Sequence, residues 1–157
     1  MQIAKLTLAD LAATKRLGLF LAERLMVGDV LALKGELGAG KSELARAIIQ
    51  QICPKETDIP SPTFTLVQAY ESDSKVPLWH FDLYRLAEPD DVFELGIEEA
   101  FIEAICLIEW PERLAGYLPG RTLTIEIDYD ASANGSRWVT LRGNPAWQNR
   151  LSDMLPD

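Results

Sequence analysis

Gly35-Glu36-Leu37-Gly38-Ala39-Gly40-Lys41-Ser42 has the spacing G-x-x-x-x-G-K-[ST], a loop that cradles phosphates. Glycines let successive backbone N–H groups turn inward and approach a polyphosphate closely. A helix starting at the loop's end adds unpaired N–H donors and the positive end of its dipole. Lys41 would neutralise the β- and γ-phosphates, and the Ser42 hydroxyl would ligate Mg²⁺. Glu36, Leu37, Gly38, Ala39, Gly40, Lys41 and Ser42 are therefore the expected nucleotide-binding residues.

A phosphate loop alone gives binding; hydrolysis also needs Mg²⁺, a positioned water and charge compensation. The apolar run Ile105-Cys106-Leu107-Ile108 ends in Glu109. A carboxylate at the end of a buried strand beside the loop strand can hold Mg²⁺, directly or through water, or polarise the attacking water. Asp82 lies in His80-Phe81-Asp82-Leu83-Tyr84-Arg85. On a strand His80, Asp82 and Tyr84 would share one face, with Asp82 as a second acid near Mg²⁺. His80 is open between a structural role, orienting a neighbour and sensing γ-phosphate. Arg85 is open between phosphate charge compensation and a surface ion pair. Thr63, in Ser61-Pro62-Thr63-Phe64-Thr65, is the best candidate for a switch residue reaching γ-phosphate and Mg²⁺. Neither Asn-Lys-x-Asp nor Asp-x-x-Gly occurs, which argues against a guanine-specific GTPase. No arginine-rich lid insertion is evident, which weakens the reading as a small-molecule phosphotransferase.

These residues need elements to hold them. Val30-Leu31-Ala32-Leu33 reads as a buried strand, and Ser42 to Cys53 as a helix with Leu44, Ala47, Ile48 and Ile52 on one face and Pro54 as its stop. Strands and helices alternate, so the expected fold class is α/β, a mixed sheet flanked by helices. Ile3 to Leu6 is a first strand, followed by the capping-box pattern Thr7-Leu8-Ala9-Asp10. The next helix carries Leu17, Phe20, Leu21 and Leu25 and stops at Gly28. Phe64 to Tyr70 and Val76 to Leu83 read as two strands joined by a polar turn. Pro89 to Phe101 is helical in short pieces, and Ala104 to Ile108 is a second fully apolar strand. Alternation in Leu123 to Ile127 and Trp138 to Arg142, with Asn134-Gly135 between, predicts an antiparallel hairpin. Asn144-Pro145 would start a last short helix bearing Trp147, Leu151, Met154 and Leu155.

The 157 residues suffice for one domain spanning 1–157. Its core motifs fall in 27–115, and the hairpin and last helix in 120–157. No apolar stretch is long enough for a membrane span, and the N-terminus lacks a signal-peptide plan. The two cysteines, Cys53 and Cys106, sit in apolar contexts, as reduced side chains of a cytoplasmic protein would. With 24 acidic against 15 basic residues the formal net charge is −9, which argues against a free-standing nucleic-acid binder.

Taken together, the blocks Gly35 to Ser42, Ser61-Pro62-Thr63-Phe64, His80 to Leu86, Glu94-Leu95-Gly96 and Ile108-Glu109-Trp110-Pro111-Glu112 resemble the TsaE (YjeE) family. The resemblance implies a small P-loop ATPase of tRNA threonylcarbamoyladenosine biosynthesis, weakly active alone. It implies ATP and Mg²⁺ as cofactors, TsaB and TsaD as partner subunits, and contact with tRNA only through that complex. Carried over, Lys41, Asp82 and Glu109 are the catalytic residues. Ser42, Asp82 and Glu109 hold the metal, and Thr63 and Trp110 join the loop in binding nucleotide. Ser42 replaces the usual threonine and keeps the hydroxyl. Glu43 stands where a threonine is common, and its charge would oppose phosphate.

Overall fold

A computed structural model describes residues 1–114, 116–130 and 135–154. In chain order the elements are β1 (Gln2–Leu8), α1 (Leu11–Ala22), β2 (Val30–Lys34), α2 (Lys41–Ile52), β3 (Val67–Glu71), β4 (Pro77–Asp82), α3 (Ile97–Glu103), β5 (Ile105–Glu109), β6 (Leu123–Tyr129), β7 (Arg137–Arg142) and α4 (Pro145–Arg150). Short 3₁₀ segments at Pro89–Leu95 and Pro111–Leu114 flank α3 and β5.

The strands form one mixed sheet in the order β1-β7-β6-β2-β5-β4-β3. β2 lies at its centre, parallel to both β5 and β6, and β4 runs parallel to β5. β1, β3 and β7 are antiparallel to their neighbours. The central place explains why Val30 to Leu33 is apolar without alternation: all four side chains have 0% exposure.

Helices α1 and α2 cover one face. Leu17, Leu21, Leu44, Ile48 and Ile49 share a core there with Leu31, Leu33, Ile125 and Leu141. On the other face, Val92, Ile97 and Leu114 close over Phe81, Cys106 and Ile108. Cys53 and Cys106 are buried free thiols, and burial pushes the Cys106 thiol up to about 12. Asn144 caps α4 by accepting from Trp147 N–H at 3.0 Å, as its pairing with Pro145 predicts. Among the described residues no helix is long and apolar enough to cross a membrane.

Four local expectations need correction. Thr7 and Leu8 belong to β1, and Asp10 itself caps α1 by accepting from Ala13 N–H at 2.9 Å. Strand pairing with β7, which runs unbroken from Ala4 to Leu8, outweighs a cap one turn earlier. Helix α1 ends at Ala22, six residues before Gly28, because the chain must turn there to enter β2. β3 starts only at Val67, after Leu66 adopts φ 69°, so Phe64 lies in a turn. β4 ends at Asp82, which places Tyr84 outside the strand face that His80 and Asp82 share. Asn134 and Leu155 lie outside the described residues.

The contact between α1 and α2 turns on Gly18. A Cβ at Gly18 would stand 2.6 Å from the Ala47 Cβ, too close without backbone movement. Gly18→Ala should lower stability by about 1–3 kcal/mol through overpacking, although alanine is the better helix former. Urea unfolding checks this, and Ala47→Gly in the same chain should restore part of the loss.

Candidate functional site

The phosphate loop joins β2 to α2, with its glycines at the points of closest approach. At Gly35 (φ 152°) an added Cβ would lie 2.6 Å from the Ile127 carbonyl oxygen on β6. Gly40 enters α2 with φ 117°, which excludes most L side chains, and no side chain caps the helix. Two loop carbonyls are held from the far end of the chain. Tyr129 Oη donates to Gly38 O at 2.6 Å, and Arg137 Nε donates to Ala39 O at 2.8 Å. Tyr129 and Arg137 face one another across the β6–β7 ladder, so the hairpin grips the loop with a matched pair. Anchoring the carbonyls pre-forms a nest of backbone N–H groups.

Lys41 is only 4% exposed. Its Nζ donates to Gly35 O and to Glu36 O, and lies 4.2 Å from the centre of the Trp110 ring. Burial lowers the pKa of Lys41, against the opposing charges of Glu109, Glu112, Asp82 and Glu36. Trp110 follows β5 with φ 58°, a strained backbone for a bulky residue, and packs on Tyr84 at 4.9 Å.

The two acids stand side by side. Asp82 ends β4 and Glu109 ends β5, and the parallel register pairs them directly, with Leu33 of β2 opposite Glu109. Glu109 Oε1 accepts from Ser42 Oγ at 3.0 Å, and Oε2 is 2.6 Å from His80 Nε2. Asp82 Oδ2 accepts from Thr63 Oγ1 at 3.0 Å and Ser61 Oγ at 3.3 Å. Asp82 Oδ1 accepts from Tyr84 N–H at 3.1 Å.

A cavity of about 100 Å³ is lined by Leu37, Gly38, Gly40, Lys41, Ser42, Thr63, Asp82, Glu109 and Trp110. The structure thus gathers most of the residues singled out from sequence. Glu36 contributes its carbonyl to Lys41, and Ala39 turns to a second cleft. That cleft, about 260 Å³, runs past Gly40 between Leu8, Asp10, Leu11, Ile127 and Arg137. Arg85 does not line the phosphate cavity; its guanidinium lies 4.5 Å from the Phe64 ring centre. Sequence reasoning missed Tyr129 and Arg137. Their only signal was their place flanking the predicted hairpin turn.

The family described as "Threonylcarbamoyl adenosine biosynthesis protein TsaE" matches residues 8–138, a span that contains all five blocks. The chain belongs to the TsaE family. A TsaE protein of Rickettsia conorii is 38% identical, over 96% of this chain and 86% of its own length. One from a Nostoc species is 40% identical, over 88% of this chain and 86% of its own. Both carry the name tRNA threonylcarbamoyladenosine biosynthesis protein TsaE. The crystal structure of YdiB from Bacillus subtilis superposes with a TM-score of 0.77 at 28% identity, covering 98% of this chain and 93% of that one. The expected mixed α/β architecture is what the sheet shows, and the nucleotide-binding loop is that of a TsaE fold.

The hairpin's hold on the TsaE loop is testable in the free protein. Tyr129→Phe should speed amide exchange at Gly38 to Lys41 by roughly 2- to 10-fold, the equivalent of one net hydrogen bond. Exchange unchanged within error would mean that the loop keeps its shape without the hairpin.

Proposed function

We propose that this TsaE protein binds ATP with Mg²⁺ and hydrolyses it weakly alone, in support of threonylcarbamoyl modification of tRNA adenosine. The observation that carries the reading is the in-register pair Asp82–Glu109 facing Lys41 and Ser42 across one small cavity. In this reading Lys41 leaves the Gly35 and Glu36 carbonyls for the β- and γ-phosphates. The loop N–H groups and the α2 N-terminus bind the remaining phosphate oxygens. The cleft beyond Gly40 takes the nucleoside. Ser42, Glu109 and Asp82 offer a hydroxyl and two carboxylates, the hard oxygen donors that suit Mg²⁺ shared with phosphates and water. Such an ion would neutralise charge building on the phosphates. Glu109 orients the attacking water or holds the ion through it. Asp82 keeps the Ser61–Thr65 loop against the cavity, and Trp110 covers Lys41.

The reading places the protein in the cytoplasm, working with the TsaB and TsaD subunits, and touching tRNA only through them. A second reading, a nucleotide-gated docking module whose hydrolysis only resets it, is favoured by the same loop. Thr63 bonds to Asp82 inside the cavity, while Phe64 beside it is 82% exposed and Leu37 on the phosphate loop is 72% exposed. Nucleotide that moves Thr63 would move Phe64 as well, changing the apolar rim a partner meets.

Lys41→Ala should weaken ATP binding by about 2–5 kcal/mol in calorimetry, the scale for truncating one partner of a buried charge contact. Near-wild-type affinity would sink the loop assignment. Glu109→Gln should still bind Mg²⁺·ATP yet turn it over about 10²-fold more slowly, and Asp82→Asn should act similarly. Unchanged turnover in both would make them structural. In the docking reading, Glu109→Gln still supports one round of partner action; in the ATPase reading it does not.

The net charge of −9 sets a further expectation. The isolated protein should show negligible tRNA binding at physiological salt, since few phosphates can be neutralised by its basic groups. Association with TsaB–TsaD should depend on nucleotide. Salt-sensitive, sub-micromolar tRNA binding by the protein alone would overturn the first statement. Equal affinity for the partners with ATP, ADP or no nucleotide would overturn the second.

A further inference from the structure

We propose that His80 is the positioning residue of Glu109: its imidazole pins Oε2, so that Oε1 is the oxygen turned to Ser42 and the nucleotide. The inference rests on the ATPase reading above and adds to it a residue that touches neither phosphate nor ion.

His80 is the only histidine of the chain and has 0% exposure. It lies two residues before Asp82 on β4, on the sheet face that α1 and α2 cover. Its neighbours on that face are the apolar Leu78 and Leu107 and, paired with it on β3, the half-buried Gln68. An imidazole in such a place loses hydration at both nitrogens. Nε2 recovers one bond, to Glu109 Oε2 at 2.6 Å. Nδ1 recovers none, being one of only two buried side-chain polar atoms without a partner among the described residues. A leucine would fill the position without that loss. What the histidine alone supplies is its contact with Glu109.

The contact is made in one tautomer. With hydrogen on Nε2, the ring donates to the carboxylate, and Nδ1 keeps a bare lone pair. A hydrogen on Nδ1 would be buried with no acceptor. The carboxylate is thereby tied at both ends, by His80 at Oε2 and by Ser42 at Oε1. When the Ser42 hydroxyl turns to an ion or a phosphate, Oε1 is released already aimed, because Oε2 stays fixed. A glutamate free about its side-chain torsions would have to be ordered at that moment instead.

Amide mimicry separates the two nitrogens. His80→Gln carries an N–H donor near the place of Nε2, whereas His80→Asn carries one near the place of Nδ1. With the full chain, TsaB, TsaD and Mg²⁺·ATP, His80→Asn should lower kcat about 10- to 100-fold while KM for ATP stays within about 3-fold. His80→Gln should recover most of the loss. In a Glu109→Gln background His80→Asn should cost nothing more, because its effect passes through Glu109. Wild-type kcat in His80→Asn, beside an inactive Glu109→Gln, overturns the positioning role alone. Equal loss in His80→Asn and His80→Gln, persisting in the Glu109→Gln background, also overturns it, as a packing role. Wild-type turnover in Glu109→Gln overturns the reading of Glu109 itself. The unmutated chain gives an independent check, since its imidazole ¹⁵N signals report His80 alone. They should show hydrogen on Nε2 and a bare Nδ1, with Nε2 shifting in Glu109→Gln; hydrogen on Nδ1 overturns the inference whatever the variants do.

Discussion

Two carboxylates set side by side at the ends of buried strands have to be compensated. Asp82 is 4% exposed and Glu109 is 2% exposed, and parallel pairing fixes them next to one another. Like charges this close repel, and burial withdraws the water that would screen them. The surroundings answer with donors. Ser42 and His80 serve Glu109; Ser61, Thr63 and the Tyr84 N–H serve Asp82; Lys41 adds a positive charge nearby. The donors come from three stretches of chain, Lys41-Ser42, Ser61 to Thr63 and His80 to Tyr84, so satisfying the acids also assembles the site. Removing the compensation from either acid would leave a buried charge that the fold tolerates poorly.

The same arrangement explains why Lys41 rests on backbone carbonyls. A buried ammonium must be hydrogen-bonded, and Gly35 O and Glu36 O are within its reach. Those bonds are of the kind that phosphate oxygens can replace. The loop around them keeps its shape through contacts that a ligand does not compete for, namely Tyr129 to Gly38 and Arg137 to Ala39. The movable part and the fixed part of the cradle are thus built from different donors.

Much of this was legible in the residues. The phosphate loop, its strand and its helix are contiguous, so local pattern is enough. The apolar run ending in Glu109 showed a buried strand and the carboxylate at its end, which the fold sets beside the phosphate loop. Asn144-Pro145 likewise carries its own capping signal. What remained illegible depends on register. Nothing near His80 tells that its ring meets Glu109, 29 residues on. Nothing near Tyr129 tells that its hydroxyl reaches Gly38, because the sheet order that inserts β6 beside β2 is a long-range choice. Thr7 to Asp10 shows the reverse failure, a local signal overruled by pairing with β7. Leu66 with its positive φ cut short a strand that its apolar neighbours had suggested.

The sheet order has one more consequence, for the order in which a growing chain can fold. β2 is the second strand made, yet its neighbours are β5 and β6, and β1 waits for β7. When the phosphate loop leaves the ribosome, neither strand of the emerged chain has a partner. Only the α1–α2 pair and later the β3–β4 hairpin can form from nearby sequence. Val30 to Leu33 therefore stays exposed until most of the chain is synthesised, a hydrophobic segment of the kind that recruits chaperones. Such non-local pairing also makes folding slow for the size of the molecule. β6 and β7 are the last two strands made, so the phosphate loop gains its contacts from Tyr129 and Arg137 only after the rest of the sheet has been synthesised.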